Sequence, residues 1–152
     1  MFIEKVDLGS VIYDYQIDQI TEGDDNIILQ AIAAAIEEAK SYLEPNPNAK
    51  EWLDGRLLYD VNAIFNATGT DRNSLILQHC CTLAKWHITQ LCNAEIIYEV
   101  AKERYDRAID WFTKIAKGTI NLSSLPQLNR TEENVTKNPF EFGSRAKFNH
   151  DY

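Results

Sequence analysis

The sequence predicts an all-α protein: a small antiparallel bundle of three main helices plus a short N-terminal helix, followed by an extended C-terminal arm. Three observations carry this. Apolar residues recur at spacings of three and four over three long windows, which is the stripe of a helix that faces a core. Each window is flanked by residues that start or stop helices. No stretch alternates apolar and polar residues as a half-buried strand would.

The first segment, about residues 2–22, is read from Val11-Ile12 and Ile17 with Ile20 as a short helix near Tyr13–Thr21. Thr21-Glu22-Gly23 breaks it, and Asp24 or Asp25 offers an acceptor for the free N–H groups of the next helix. That helix is expected over 25–43, where Ile28, Ile32, Ala35, Ile36, Ala39 and Leu43 form the stripe. Its alanines raise helix propensity and permit close approach by a neighbour. Pro45 and Pro47 stop it.

Residues 44–72 are too apolar for a free loop, holding Trp52, Leu53, Leu57, Leu58, Tyr59, Val61, Ile64 and Phe65. A short helix or turn around Ala49–Asp54 and an extended or helical piece through Phe65 are expected. Asn66 to Asn73 is dense in turn formers and supplies Asp71 or Asn73 as the next cap.

The helix over 73–92 carries apolar residues around most of its circumference, among them Leu75, Ile76, Leu77, Trp86, Ile88 and Leu91, so it is expected at the centre. The connector Asn93-Ala94 is short, which makes its neighbour antiparallel. The last helix, 95–117, has the stripe Ile97, Ala101, Tyr105, Ala108, Phe112 and Ile115, with the pairs Glu103/Arg107 and Asp110/Lys114 on its outer side. Gly118 is its stop residue.

Two units are expected: a helical body over 1–118 and an assembly arm over 119–152, extended or flexible. The arm is polar and holds isolated hooks at Leu122, Leu125, Leu128, Phe140, Phe142, Phe148 and Tyr152, too sparse to build a core of its own. These hooks are expected to bury against adjacent subunits or partners.

The net charge of −8 over 152 residues is unevenly spread. Residues 1–71 hold 14 acidic and 4 basic residues, residues 72–118 hold 5 and 7, and the arm holds 4 and 4. An acidic half joined to a slightly basic half favours head-to-tail contacts between copies, although acidic residues also serve simply to solubilise a face. Repulsion from phosphates disfavours direct nucleic-acid binding. No apolar run is long enough to span a bilayer, and no export signal is visible at the N-terminus. Three cysteines without such a signal read as free thiols in a reducing compartment.

Chemistry was sought and not found. His79, Cys80, Cys81, His87 and Cys92 lack the spacing that brings zinc ligands together. Ile76 and Ala84 stand three residues before the two histidines, where a carboxylate-bridged di-iron bundle needs Glu. There is no nucleophile elbow, P-loop or dinucleotide fingerprint. Acidic pairs such as Asp24-Asp25 and Glu37-Glu38 fit caps and solvated faces. Neither enzymatic activity nor a metal or cofactor is expected. Trp111, with Arg104 and Arg107 two turns and one turn before it, lies off the main stripe. It reads as an interface anchor or as a Trp packed under arginine stems.

The order of segments carries a resemblance. DYQIDQITEGDDNIILQAIAAAIEEAKSYL is followed by YDVNAIFNATGTDRNSLIL, LAKWHITQLCNAE, ERYDRAIDWFTKIAKGTIN and a Leu-Pro. Over about residues 8–126 this resembles the Mu-like bacteriophage head–tail connector (neck adaptor) family, and the final FGSRAKFNHDY is similar to the ends of some members. The resemblance implies an all-α subunit that forms a homo-oligomeric ring between portal and tail. Its partners would be copies of itself, the portal protein and tail-completion or tail-terminator proteins, with DNA only a transient passenger in the lumen. It further implies a place in the virion neck, reached from the host cytoplasm. Tyr59, Asp60, Phe65, Gly69, Asp71, Arg72 and Asn73 match the family's central turn, and Trp86, His87, Arg104, Tyr105 and Trp111 match its last two helices. Ser74 stands where many members place Pro. The competing expectation is a cytosolic helical module that binds or regulates a partner.

Overall fold

A computed structural model of the chain describes residues 1–44, 57–92 and 98–128. The fold is all-α, and among the described residues there is no strand. It begins with a 3₁₀ helix, Lys5–Ser10, and continues with α1 (Asp14–Thr21), α2 (Asp25–Leu43), α3 (Val61–Asn66), a 3₁₀ turn Gly69–Asp71, α4 (Ser74–Leu91) and α5 (Tyr98–Ala116). The expected helix around Ala49–Asp54 and the connector at Asn93-Ala94 lie outside the described residues.

The core is a three-helix contact in which α2 packs on α4, α4 on α5 and α2 on α5. The 3₁₀ helix and α1 lie against α4 as well. α2 buries Ile28, Ala31, Ile32, Ala35, Ile36, Ala39 and Leu43, and three of its five alanines, Ala31, Ala35 and Ala39, are fully covered on this packed face. Asp24 is the cap, accepting the N–H of Asn26 at 2.9 Å.

α4 starts at Ser74 with Asn73 as its cap, whose side chain accepts from both Leu75 and Ile76 N–H at 3.1 Å. Ser74 thus occupies the first helical position, the place in a helix that also accepts proline. The covered face of α4 is Ile76, Cys80, Cys81, Leu83, Ala84, Ile88 and Thr89. The helix touches α2, α5, α1 and the 3₁₀ helix, as its central place requires, while Leu75 and Leu91 stay 40% and 45% exposed.

α5 ends as the sequence expects. Gly118 takes φ 72°, its N–H bonds Ile115 O at 2.8 Å, and Thr119 N–H bonds Lys114 O at 2.9 Å. This pair of bonds is the Schellman closure, which needs a residue free to adopt the left-handed conformation.

Two regions depart from the sequence reading. Phe2, Ile3, Leu8 and Ile12 all enter the core, although nothing in their spacing marks a helix. Phe2 meets Phe65 of α3 edge to face at 4.9 Å between centroids. The second departure concerns the boundary at Gly118. Residues 119–128 turn back and close the body, so the helical unit does not stop at 118.

Candidate assembly surface

The expected assembly residues fall in different places. Leu122 and Leu125 lie in the returning strap, Arg104, Arg107 and Trp111 on α5, and Phe140, Phe142 and Phe148 outside the described residues.

The strap is held by the segment that leads into α3. Tyr59 Oη accepts the N–H of Leu122 at 2.8 Å. Asp60 N–H donates to Pro126 O at 2.9 Å, and Leu128 N–H donates to Leu58 O at 2.8 Å, giving a single antiparallel bridge between Tyr59 and Gln127. Leu125 is only 5% exposed, and Ile120 and Leu122 pack against the same core. Leu125 is therefore seated in the core of its own chain, and Leu122 is partly covered there. Leu128 remains exposed at 44%.

On α5 three i,i+4 pairs form, two with the acid first and one, Lys102 with Asp106, with the base first. Asp110 and Lys114 meet at 2.6 Å, Lys102 and Asp106 at 2.7 Å, and Arg107 pairs with Glu103. All are solvent-exposed and screened, so they add little to stability, and their charges neutralise one another along the helix. Trp111 is half-buried: its ring stacks on His79 of α4 at 4.2 Å and meets Phe112 edge to face at 5.1 Å. Burial pushes the His79 pKa down, which keeps that ring neutral and suited to stacking. Arg104 is exposed.

The residues of the central turn are brought together, each with a local task. Asp60 caps α3 by accepting Ala63 N–H at 2.9 Å. Gly69 takes φ 57°, and Asp71 N–H closes the turn on Thr68 O at 3.2 Å. Arg72 then reaches across to the N-terminus. Its guanidinium holds both oxygens of Asp7, at 2.6 and 3.1 Å, and also donates to Phe2 O at 2.9 Å and Gly69 O at 3.0 Å. Burial opposes ionisation of Asp7, but the hydrogen bonds from Arg72 and from Glu4 N–H outweigh it and hold its pKa below the ordinary carboxylate value. Asp7 carried no signal in the sequence, because its partner lies 65 positions away.

A second polar cluster was equally invisible. Glu38 of α2 accepts from Tyr105 Oη of α5 at 2.6 Å and contacts Nε2 of His87 of α4 at 2.8 Å. Trp86 stacks on Tyr105 at 5.1 Å and leans on Tyr98 at 5.3 Å. Burial and the bond to Glu38 raise the Tyr105 pKa, so its hydroxyl stays a donor. Both oxygens of one carboxylate are engaged, and the cluster clips the three main helices together.

Among the described residues no three His, Cys, Asp or Glu side chains converge on a common point. Cys80 and Cys81 are buried, and burial pushes the Cys81 thiol up to about 11 and that of Cys80 further in the same direction. An open cleft of about 270 Å³ lies between the N-terminus, α2 and α3, with Phe2, Ile36 and Phe65 at its base and Lys40 and Glu37 on its rim. Lys40 is already paired with Glu37 at 2.7 Å. No helix among the described residues is long and apolar enough to cross a membrane.

Comparison with protein-family models, with curated proteins and with solved structures finds no match to this chain.

Proposed function

We propose that this chain is a structural subunit of a bacteriophage head–tail connector, assembling as a homo-oligomeric ring between portal and tail. The observation that carries the reading is that the described body seats Leu125 in its own core, while the sequence goes on to carry further apolar hooks at Phe140, Phe142 and Phe148. Hooks that come after a completed core have other copies or other proteins as their natural seats. The ordered resemblance over about residues 8–126 supplies the class of assembly, and the acidic first half suits a ring whose lumen must not retain passing DNA.

In this reading Phe140, Phe142 and Phe148 bury against neighbours. Arg104, Arg107 and the exposed part of Trp111 form a contact surface along α5. Portal protein and tail-completion or tail-terminator proteins flank the ring. An arm ordered at assembly bears its ordering entropy then, which favours several weak anchors over one tight pocket.

The test is to mix purified chain with the portal protein encoded beside it and image the product by negative-stain electron microscopy. A ring of added density on one portal face is expected. Absence of any complex, together with neighbouring genes unrelated to capsid, portal or tail, would leave the cytosolic partner-binding module as the better reading.

A further inference from the structure

Several exposed apolar residues stand on three elements that a single lysine draws together. Lys5 Nζ pairs with Asp25 at 2.7 Å and Asp18 at 3.6 Å, which brings the 3₁₀ helix, α1 and the start of α2 to one place. Around it stand Val6, next in sequence to Lys5, Tyr15 one turn before Asp18, and Leu29 one turn after Asp25. They are 84%, 66% and 51% exposed, and Tyr13, stacked on Tyr15 at 5.8 Å, is 67% exposed. Surface hydrophobics scattered singly need no explanation, but a cluster of large ones does. These elements are acidic in balance: residues 13–29 hold five carboxylates, two of them paired with Lys5, and no lysine or arginine of their own.

Its partner must therefore combine positive charge with apolar side chains. The outer side of α5 does not fit, since Lys102, Arg107 and Lys114 are each neutralised by an acid on the same helix. Residues 142–148, FGSRAKF, do fit: two phenylalanines flank Arg145 and Lys147, with no acid between them.

We propose that the Val6–Tyr15–Leu29 face of one copy receives the Phe142–Phe148 segment of the next. This inference rests on the self-assembly reading above and names its contact. Two full-length variants test it: a face variant carrying Tyr15→Lys and Leu29→Lys, and a segment variant carrying Arg145→Glu and Lys147→Glu. All four sites lie on exposed positions or in the arm, and thermal melts followed by circular dichroism check that each variant keeps its helical fold.

Sedimentation velocity over a hundredfold concentration range gives the readout. The wild-type chain is expected to gain mass with concentration, and less so at high salt. Each variant alone stays monomeric. An equimolar mixture of the two forms dimers and nothing larger, because one supplies the intact segment and the other the intact face. If both variants associate as the wild type does, the contact is wrong while self-assembly stands. If the mixture stays monomeric, the two surfaces are not partners and the proposal is overturned. A wild-type chain that is monomeric throughout overturns it as well, leaving assembly on the portal to be judged separately.

Discussion

Tyr59 and Leu122, 63 positions apart, are joined by a 2.8 Å hydrogen bond from the Leu122 N–H to the Tyr59 hydroxyl. Through that bond the segment after α5 becomes part of the body. The body therefore runs at least to Leu128.

That boundary makes a prediction about truncation. A chain ended after Leu128 is expected to keep the stability of the full-length protein in urea unfolding. One ended after Gly118 loses Leu125 from the core, with Ile120 and Leu122, and is expected to be less stable by about 3 kcal/mol or more. Within the full chain, Leu125→Ala is expected to cost about 2–4 kcal/mol and Tyr59→Phe about 1 kcal/mol. Equal stability of the two truncated chains would show that the strap does not belong to the core.

Arg72 and Asp7 predict an acid-sensitive contribution. The folded-state pKa of Asp7 lies below its unfolded value of about 3.9, so the pair stabilises the fold above about pH 4 and the benefit disappears as pH falls through the depressed value. Arg72→Met is expected to be destabilised by about 2 kcal/mol at pH 7, since it leaves a largely buried carboxylate and a carbonyl without their donor. The gap from wild type should narrow below about pH 4. A gap independent of pH would point to lost packing rather than lost charge.

Glu22 ends α1 in the left-handed conformation at φ 54°, where a side chain is unfavourable by about 1 kcal/mol. Glu22→Gly is expected to stabilise the protein by about 0.5–1 kcal/mol. It also removes a negative charge from the negative end of the helix dipole. A thermal melt that moves down rather than up would contradict this.

Glu38 predicts a coupling. Replacing it with Ala removes the acceptor shared by His87 and Tyr105, at an expected cost of about 1–3 kcal/mol. Tyr105→Phe, made on the Glu38→Ala background, should then cost less than it does alone. Fully additive losses would mean that the two residues do not act as a unit.

The long helices were legible because their signals are local. α2 has a stripe, a cap at Asp24 and prolines beyond its end, and its observed span is the expected 25–43. α5 has its stripe and Gly118. The N-terminus was not legible, since Phe2, Ile3, Leu8 and Ile12 follow no helical period and are buried by tertiary packing alone. Nor could the sequence reveal Arg72 with Asp7, Glu38 with His87 and Tyr105, or the strap on Tyr59. Each joins residues 49 or more positions apart, and each is specified by the fold rather than by any local pattern. Leu122 and Leu125 show the same limit from the other side: isolated apolar residues in a polar stretch look alike whether they seat on their own chain or on another.

The central claim is that a self-sufficient body carries its assembly determinants beyond Leu128. Light scattering on the eluting peak of a size-exclusion column tests it most directly, over a concentration series of the full-length chain and of the chain ended after Leu128. The account predicts oligomers for the full-length chain and a folded monomer for the shortened one. A full-length chain that remains monomeric at every concentration, and in the presence of the portal protein, would contradict it.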